Sequence, residues 1–367
     1  MKVTSKEIRF AGEDFWFHPS FCPRGENELL FTGQKYLGSD LYGAPMYAAG
    51  SLPDGRFPAP APIPSFAVRE TPDGLLRRVF DVRPFDLGHG VAAAFGCAGV
   101  RTRDGQMVPF KVRPPGKAVC TFLHPNGVWS PMYTLDIAGE TDWLRTACTQ
   151  ICPCGNDEWI IPFYAARGTC MFAGEVSQHF YSITAKYRFD GEKLVFVEKG
   201  NDLESEAGRG FVEPSVIAGN DGVFHLTLRA EDGRGYCAVS RDGLNWSEPV
   251  AWHWEDGTLL EMSSTQQHWM RLGKKICLVY TRRAEDNGHI MRFRAPLFAA
   301  ETDPVKGIVK KETEVIVFPR QQIEDEEALY GNFHVTQVSD DHAVVSDAAL
   351  FYRHETSRLM VADIRPD

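Results

Sequence analysis

One acidic and one basic side chain bracket a predicted pair of antiparallel strands in the segment EPSVIAGNDGVFHLTLR. Glu213 precedes Pro214, and the residue before a proline is held extended, as at the start of a strand. Arg229 ends the next strand. A carboxylate here can act as general base or nucleophile, and a guanidinium can hold a ligand's carboxylate or hydroxyl groups through its planar fork. An ion pair between the two residues without chemistry is the alternative.

Other polar side chains occur where further predicted strands begin or end, and we expect them to share one cleft. Ionisable groups clustered away from bulk water need partners, and such clusters are typical of functional sites. A water-filled channel lined by the same residues is the alternative. Besides Glu213 and Arg229, the residues expected to line the cleft are His18, His89, Gln150, His268, Tyr280, Arg282, Asn332 and His334. Tyr280 and Arg282 belong together because residues two apart on a strand share a face.

The elements that must position these residues are short β segments separated by Asp-Gly and Gly-Asn turns, such as WIIPFYA, GVFHLTLRA and KICLVYTRR. This pattern indicates many antiparallel strands. A polar residue, a strand, a turn and a stronger strand recur six times, at intervals of roughly 55–70 residues. The sequence therefore predicts an all-β fold, a six-bladed β-propeller, as a single domain over residues 1–367. The segment IRFAGEDFWF is expected to close the last blade and so hide its edge.

Composition excludes several classes of partner. The formal net charge of −10 argues against nucleic acid, whose binding proteins usually carry a basic face. No apolar run could cross a bilayer, and the first residues lack the apolar core of a signal peptide. We therefore expect no membrane partner and a cytoplasmic location for the sequence as it stands, or a secreted or periplasmic one if a leader was removed. The oligomeric state is left open.

The nine cysteines have no disulfide-scaffold spacing, so reduced thiols are expected. The segment CPCG, Cys152–Gly155, has no second cysteine pair to complete a zinc site. The sequence therefore predicts neither a metal nor a cofactor.

Two short motifs resemble a known family. SRDGLNW, at Ser240–Trp246, is similar to the Asp-box of sialidases, S-x-D-x-G-x-x-W, although one residue shorter, and SLPDGRF at 51–57 resembles a degenerate copy. Glu213 and Arg229 precede SRDGLNW in the order that sialidases have. Asp40, in GSDLYG, stands where they keep their general acid. The chain thus resembles the sialidase-like, BNR-repeat superfamily over nearly its whole length.

The sequence also departs from the sialidase pattern. His18, in HPSF, stands where sialidases have the first of three carboxylate-binding arginines. The nucleophilic tyrosine of that family has only a loose counterpart here, Tyr330 in YGNFHV. These departures indicate a carbohydrate substrate other than sialic acid, bound in a similar cup.

The resemblance implies a glycoside hydrolase that acts on an anionic or hydroxyl-rich terminal sugar. Asp40 and Glu213 would serve as acid and as base or nucleophile, with His268 as a further catalytic group. One alternative is a lyase on uronic-acid glycans, in which His268 or Tyr280 removes a proton. The other is a sugar-binding propeller without catalysis, because propellers host unrelated functions.

Overall fold

The computed structural model describes residues 1–10, 15–25, 28–38, 41–50, 57–140 and 142–367. These residues form six mainly antiparallel sheets arranged as the blades of a propeller, which confirms the predicted all-β, six-bladed fold. The helices among them are four 3₁₀ turns, at Pro64–Phe66, Phe110–Val112, Met291–Phe293 and Lys311–Thr313. In the same residues, no helix has the length and apolar character needed to span a membrane.

The first half of the chain provides one N-terminal strand and three blades. The N-terminal strand is β1 (Lys2–Ile8). Blade 1 contains β2 (Trp16–Arg24), β3 (Glu28–Gly38), β4 (Leu41–Tyr42), β5 (Met46–Gly50) and β6 (Ala61–Pro62). Blade 2 contains β7 (Arg69–Glu70), β8 (Leu76–Asp86), β9 (Ala92–Arg101), β10 (Lys117–Leu123) and β11 (Tyr133–Thr134). Blade 3 contains β12 (Leu144–Arg145), β13 (Cys152–Gly155), β14 (Glu158–Phe172), β15 (Glu175–Phe189) and β16 (Leu194–Lys199).

The second half provides the remaining blades. Blade 4 contains β17 (Val212–Ala218), β18 (Phe224–Arg229), β19 (Gly235–Ser240) and β20 (Val250–Ala251). Blade 5 contains β21 (His253–Trp254), β22 (His268–Leu272), β23 (Lys275–Tyr280), β24 (Leu297–Asp303), β25 (Ile308–Val309) and β26 (Val315–Phe318). A two-stranded ribbon follows, β27 (Gln322–Ile323) with β28 (Glu326–Glu327). Blade 6 contains β29 (His334–Ser339), β30 (His342–Phe351) and β31 (Thr356–Arg365), completed by β1.

The N-terminal strand joins the two ends of the chain. Strand β1 pairs antiparallel with β31, in register from Lys2 opposite Arg365 to Ile8 opposite Leu359. The expected closing segment, residues 8–17, is therefore misassigned by several residues. Its last two residues, Trp16 and Phe17, instead begin the inner strand of blade 1.

Buried apolar side chains between neighbouring blades form the core. Middle strands are buried on both faces because each blade is packed between two others; every residue of Phe224–Arg229 is buried. An outermost strand such as Leu194–Lys199 is exposed over half its length. This difference explains why the middle strands have nearly continuous apolar sequences, which made them visible in the sequence.

A local distortion recurs at the start of the inner strands. His18, Asp81, Cys148 and Glu213 all have left-handed backbone conformations, with φ of 53°, 55°, 54° and 51°. The strand pairing shifts register at three of these positions, between Phe17 and Ser20, Phe80 and Arg83, and Val212 and Ser215. Left-handed φ in non-glycine residues is strained and is found most often at functional sites. Each of blades 1 to 4 therefore has one residue whose left-handed backbone conformation changes the direction of its side chain.

We expected the second blade to begin at His89, but its inner strand is β8, which precedes that residue. His89 lies in the turn between β8 and β9 and is exposed. Its Nε2 lies 2.9 Å from the carboxylate of Asp157. The apolar run HGVAAAFG that suggested a blade start belongs to the second strand of the blade.

The Asp-box-like motif is a turn between strands β19 and β20. The Asp242 carboxylate accepts hydrogen bonds from the backbone N–H groups of Leu244 (2.9 Å) and Asn245 (2.8 Å). Burial opposes ionisation of Asp242, but these bonds outweigh it and hold its pKa well below the ordinary value. Trp246 is buried and donates from Nε1 to Thr184 (2.8 Å). The motif is thus a structural turn held by hydrogen bonds and by a buried tryptophan. The copy at 51–57 lies largely outside the described residues.

Candidate active site

A cavity of about 730 Å³ opens beside the distorted inner-strand residues of blades 2 and 4. Among the described residues, its charged lining consists of seven arginines and three carboxylates: Arg101, Arg113, Arg145, Arg209, Arg229, Arg292 and Arg294 with Asp81, Glu175 and Glu213. The lining is therefore cationic in a chain of net charge −10. A concave surface of one sign of charge concentrates ligands of the opposite sign, so this cavity favours an anion.

Glu213 and Arg229 meet at the cavity wall. Glu213 Oε1 lies 2.7 Å from Arg229 Nη1, and only 15% and 7% of the two side chains are exposed. Arg229 Nε also donates to Ser264 Oγ at 3.3 Å. Burial lowers the pKa of Arg229, but Glu213 and Glu231 raise it further, so the guanidinium stays charged. The structure thus brings together the two residues with which the sequence analysis began.

Arg292 and Arg294 form the least compensated part of the cavity. Neither makes an ion pair with any residue in the described ranges, and Arg294 Nε is buried without a hydrogen-bond partner there. Burial lowers the pKa of Arg294, and repulsion from Arg229 and Arg292 lowers it further. Arg209 differs because the buried Glu231 neutralises it at 2.6 Å. Guanidinium groups held together without a carboxylate in an ion pair among the described residues are suited to an anionic ligand.

The sequence analysis expected Tyr280 and Arg282 in the cleft, and this placement is wrong. Both side chains share a face, as predicted, but both bond to Glu314 instead. Arg282 Nε donates to Glu314 Oε1 at 2.8 Å, and its guanidinium lies 4.5 Å from the ring centroid of Phe298. Neither residue lines the cavity. Two of the arginines that do so, Arg292 and Arg294, come from the loop HIMRFRAP, which has no strand pattern by which to find them.

Asp81 is a cavity carboxylate that the sequence analysis missed. It lies opposite His18, with Oδ1 2.8 Å from Nδ1. Burial lowers the pKa of His18, although Asp81 opposes this. The sequence does contain a signal for Asp81. The segment FDVR in blade 2 corresponds to FHPS in blade 1, because in each an aromatic residue precedes the residue with the left-handed backbone conformation. The third residue of this type, Cys148, lies close to both: one donor atom from each of the three residues falls within 4.8 Å of the others.

Aromatic side chains line the wall formed by blade 3. Arg145 lies over the ring of Phe180, at 5.3 Å from its centroid, and makes no ion pair within the described part of the chain. Tyr164 packs edge-on against Phe180 at 5.3 Å. Burial raises the pKa of Tyr164 well above its ordinary value, so the phenol keeps its proton. Neither Arg145 nor Tyr164 was among the predicted site residues.

Several predicted residues are buried deeper than the cavity, close to the axis of the propeller. His268 is fully buried, with Nδ1 hydrogen-bonded to Ser215 Oγ at 2.8 Å, and burial lowers its pKa to about 3. Gln150 Nε2 donates to the Trp269 carbonyl, and the Trp269 N–H donates to Gln150 Oε1, both at 2.8 Å. These contacts tie blades 3, 4 and 5 together. The expectation that His268 and Gln150 line the same cleft as Glu213 is therefore wrong.

His334 and Asn332, two further predicted residues, have different surroundings. His334 and Gln150 line a second cavity of about 440 Å³ at the other end of the inner strands, so His334 does not share the cleft either. Asn332 Oδ1 lies 3.2 Å from His18 Nε2, and this contact links blade 6 to the residue of blade 1 that has the left-handed backbone conformation. Tyr330 is buried and donates to the Pro319 carbonyl at 2.9 Å, away from the cavity. Asp40 lies outside the described residues, and its role stays a prediction.

Six blades of this topology define a sialidase-like propeller fold, the class that the sequence resemblance implied. No protein-family model and no curated sequence matches the chain. Among solved structures, the sialidase of Trypanosoma rangeli superimposes with a TM-score of 0.61 at 12% identity, covering 98% of this chain and 59% of that one. NanB, solved with Optactamide, superimposes at 0.59 and 10% identity, covering 98% and 70%. A Dyadobacter fermentans protein of unknown function gives 0.63 at 14%, covering 100% and 99%.

These similarities concern the fold alone, because every identity is low. The chain spans only about three fifths of the length of the T. rangeli sialidase. The chemistry must therefore be argued from the cavity.

Proposed function

We propose that the protein is a glycoside hydrolase that removes a terminal acidic sugar from a glycan or oligosaccharide. The observation that carries the proposal is the cationic cavity, in which Glu213 and Asp81 share one concave surface with seven arginines. A volume of about 730 Å³ falls within the range of small-ligand sites. A neutral sugar would leave the uncompensated guanidinium groups unused.

The anionic group of the sugar is held by Arg292 and Arg294. These two side chains carry positive charge without a carboxylate partner in the described residues, so a ligand carboxylate removes their mutual repulsion. Arg229 contributes a third guanidinium but is already oriented by Glu213. Charge-assisted, bidentate bonds of this kind fix both the position and the orientation of a carboxylate.

The bond-breaking chemistry is assigned to carboxylates. Glycoside hydrolysis through an oxocarbenium-like transition state uses two carboxyl groups, whose separation decides between inversion and retention. Glu213 serves as base or nucleophile. Asp81 is the second carboxylate at the cavity, and Asp40 stays the predicted general acid. The hydroxyl of Tyr164 is available to hydrogen-bond the substrate.

The test is a panel of aryl glycosides and acidic oligosaccharides, assayed for released sugar. We expect activity on a uronic or other acidic sugar, and its loss in Glu213→Gln. The control is Glu261→Gln, which alters an exposed Glu–Arg pair with a separation of 3.1 Å and should leave activity unchanged. Equal activity of Glu213→Gln and the parent would overturn the assignment, and binding without release in the parent would make the protein a lectin-like propeller.

A lyase acting on uronic-acid glycans is the second candidate, and one observation favours it. Tyr164 lines the cavity with Arg145 and Glu213, so a guanidinium is available to neutralise a uronate, a carboxylate to abstract its proton, and a protonated phenol to donate to the leaving oxygen. His268 and Tyr280, the residues expected to remove the proton in a lyase, both lie away from the cavity. Lyase products contain a conjugated double bond, so growth of ultraviolet absorbance during turnover separates the two reactions.

A further inference from the structure

We propose that His18, Asp81 and Cys148 form a site for a divalent transition metal ion with the preferences of Zn²⁺. One donor atom from each residue lies within 4.8 Å of the other two. All three residues have the left-handed backbone conformation that marks the inner-strand starts of blades 1 to 3. The same local bend thus turns a nitrogen, an oxygen and a sulfur donor towards one point from three separate blades.

The hydrogen bonding of His18 leaves one nitrogen for a metal. Its Nε2 lies 3.2 Å from Asn332 Oδ1, and in the tautomer in which Nε2 donates to this oxygen, a neutral ring has its lone pair on Nδ1. Nδ1 lies 2.8 Å from Asp81 Oδ1, yet this contact lacks the geometry of a hydrogen bond. In that tautomer two acceptor atoms lie this close and repel each other unless a cation, either a proton or a metal ion, lies between them. Metal-binding histidines commonly donate their other N–H to an oxygen in this way.

The donor set and its spacing match a metal with open coordination. Nitrogen, oxygen and sulfur ligands at about 2.0–2.3 Å from Zn²⁺ lie about 3.3–3.7 Å apart in a tetrahedral site. His18 Nδ1 and Asp81 Oδ1, which lie 2.8 Å apart, therefore need to separate by about 0.5 Å. Cys148 Sγ, within 4.8 Å of both residues' donor atoms, needs to approach them by roughly 1 Å or less. Three protein ligands leave a fourth position for water. Because Asp81 lines the cavity, this position faces the space assigned to the ligand.

The neighbouring cation is Arg83, which is fully buried. Its Nη2 lies 3.7 Å from Cys148 Sγ and donates to the Asn332 carbonyl at 3.0 Å. Arg145 also lies at the cavity near Asp81. These charges oppose a metal ion, but the carboxylate and a thiolate together neutralise its two positive charges. Burial raises the pKa of the Cys148 thiol well above its ordinary value and Arg83 lowers it only in part, so a bound metal ion must displace the thiol proton.

The test uses the intact protein and does not depend on glycosidase activity. The protein is stripped with a chelator, dialysed and titrated with Co²⁺, while absorbance records thiolate-to-cobalt charge transfer in the near ultraviolet. We expect saturation at one equivalent, loss of the band in Cys148→Ala, and its retention in Cys97→Ala. Cys97 is the matched control, because it is a buried thiol at the same cavity without a place in the cluster.

Three further variants keep the result decisive if Cys148→Ala does not fold. Asp81→Asn and His18→Gln should each weaken Co²⁺ and Zn²⁺ binding by at least about tenfold, measured by calorimetry, while Asn332→Ala should weaken it by about 10–100-fold through His18. The absence of metal uptake by the parent protein would overturn the site and leave a proton shared by His18 and Asp81. A charge-transfer band that persists without Cys148 would overturn it as well.

Discussion

Glu213 and Arg229 are separated by 16 positions in the sequence, and their side chains meet with Oε1 2.7 Å from Nη1. The left-handed conformation of Glu213 and the end of strand β18 direct them to the same wall. Both side chains are almost buried, so their attraction is less screened than that of surface pairs. The pair therefore contributes to stability as well as to the site.

Replacing Glu213 should affect activity more than stability. In Glu213→Gln we expect turnover of the best acidic substrate to fall by about 10²–10⁴-fold, the usual contribution of a general base. The free energy of unfolding should fall by only about 1–3 kcal/mol, because Gln can still accept a hydrogen bond from Arg229. Steady-state kinetics and denaturant unfolding measure the two effects. An unfolding loss without a kinetic loss would reduce Glu213 to a structural partner.

Arg294→Met should weaken the affinity for acidic ligands and stabilise the free protein. The substitution removes a buried cation that Arg229 and Arg292 repel, while the methionine keeps most of the apolar stem. We expect an increase of about 1 kcal/mol in unfolding free energy, as is common where function is maintained against stability. Calorimetry with a uronic-acid oligosaccharide should show at least tenfold weaker binding.

The exposed Arg283 is the matched control for this experiment, because it pairs with Glu261 at 3.1 Å outside the cavity. Arg283→Met should change both quantities by less than about 1 kcal/mol. Binding by the parent should also weaken as salt concentration rises, since the cavity attracts its ligand by charge. Salt-independent binding, with Arg294→Met equal to the parent, would contradict the role of the arginines.

The propeller could be predicted because its physical cause is local and repeated. Middle strands buried on both faces give apolar runs, and turns between them give Asp-Gly and Gly-Asn pairs. Blade 2 was misjudged because its inner strand, LRRVFDVRPFD, has charged residues among the apolar ones. Its second strand, AAAFGCAGVR, is more uniformly apolar, so the sequence pattern indicates the start of the blade at this strand.

The site could be predicted only where it depends on strands. Glu213 and Arg229 follow from the register of one hairpin, and the strand-face rule correctly paired Tyr280 with Arg282. It could not reveal that Glu314, 32 positions after Arg282, holds both residues away from the cavity. Arg294 lies beyond a loop in which Arg292 and Phe293 both have φ of 53°. Strand periodicity carries no information about such a loop.

The Asp-box-like turn should matter for stability and not for catalysis. Asp242→Ala removes the acceptor for the N–H groups of Leu244 and Asn245. Loss of such a capping carboxylate costs about 1–2 kcal/mol. We expect a lower unfolding free energy and unchanged kinetic constants for the folded protein. A change in the Michaelis constant would show that the turn communicates with the cavity, which the structure gives no reason to expect.

The buried histidine of the axis should make the fold sensitive to acid. Burial lowers the pKa of His268 to about 3 in the folded protein, whereas an unfolded histidine titrates near 6.5. Between these values the unfolded chain binds a proton that the folded chain excludes, so stability is complete above about pH 6.5 and falls as the pH decreases. At pH 5 this one group should lower the free energy of unfolding by about 2 kcal/mol.

The substitution His268→Gln isolates this effect, because glutamine can still hydrogen-bond Ser215 but does not titrate. Denaturant unfolding at pH 7 and pH 5 should give a smaller loss for His268→Gln than for the parent, by about 2 kcal/mol. The exposed His89, substituted to Gln, serves as the comparison and should follow the parent at both values, because its Asp157 partner is also partly exposed. If all three proteins lose the same stability between pH 7 and pH 5, the axis histidine does not exclude protons, and its neutral, desolvated state in the folded propeller is disproved.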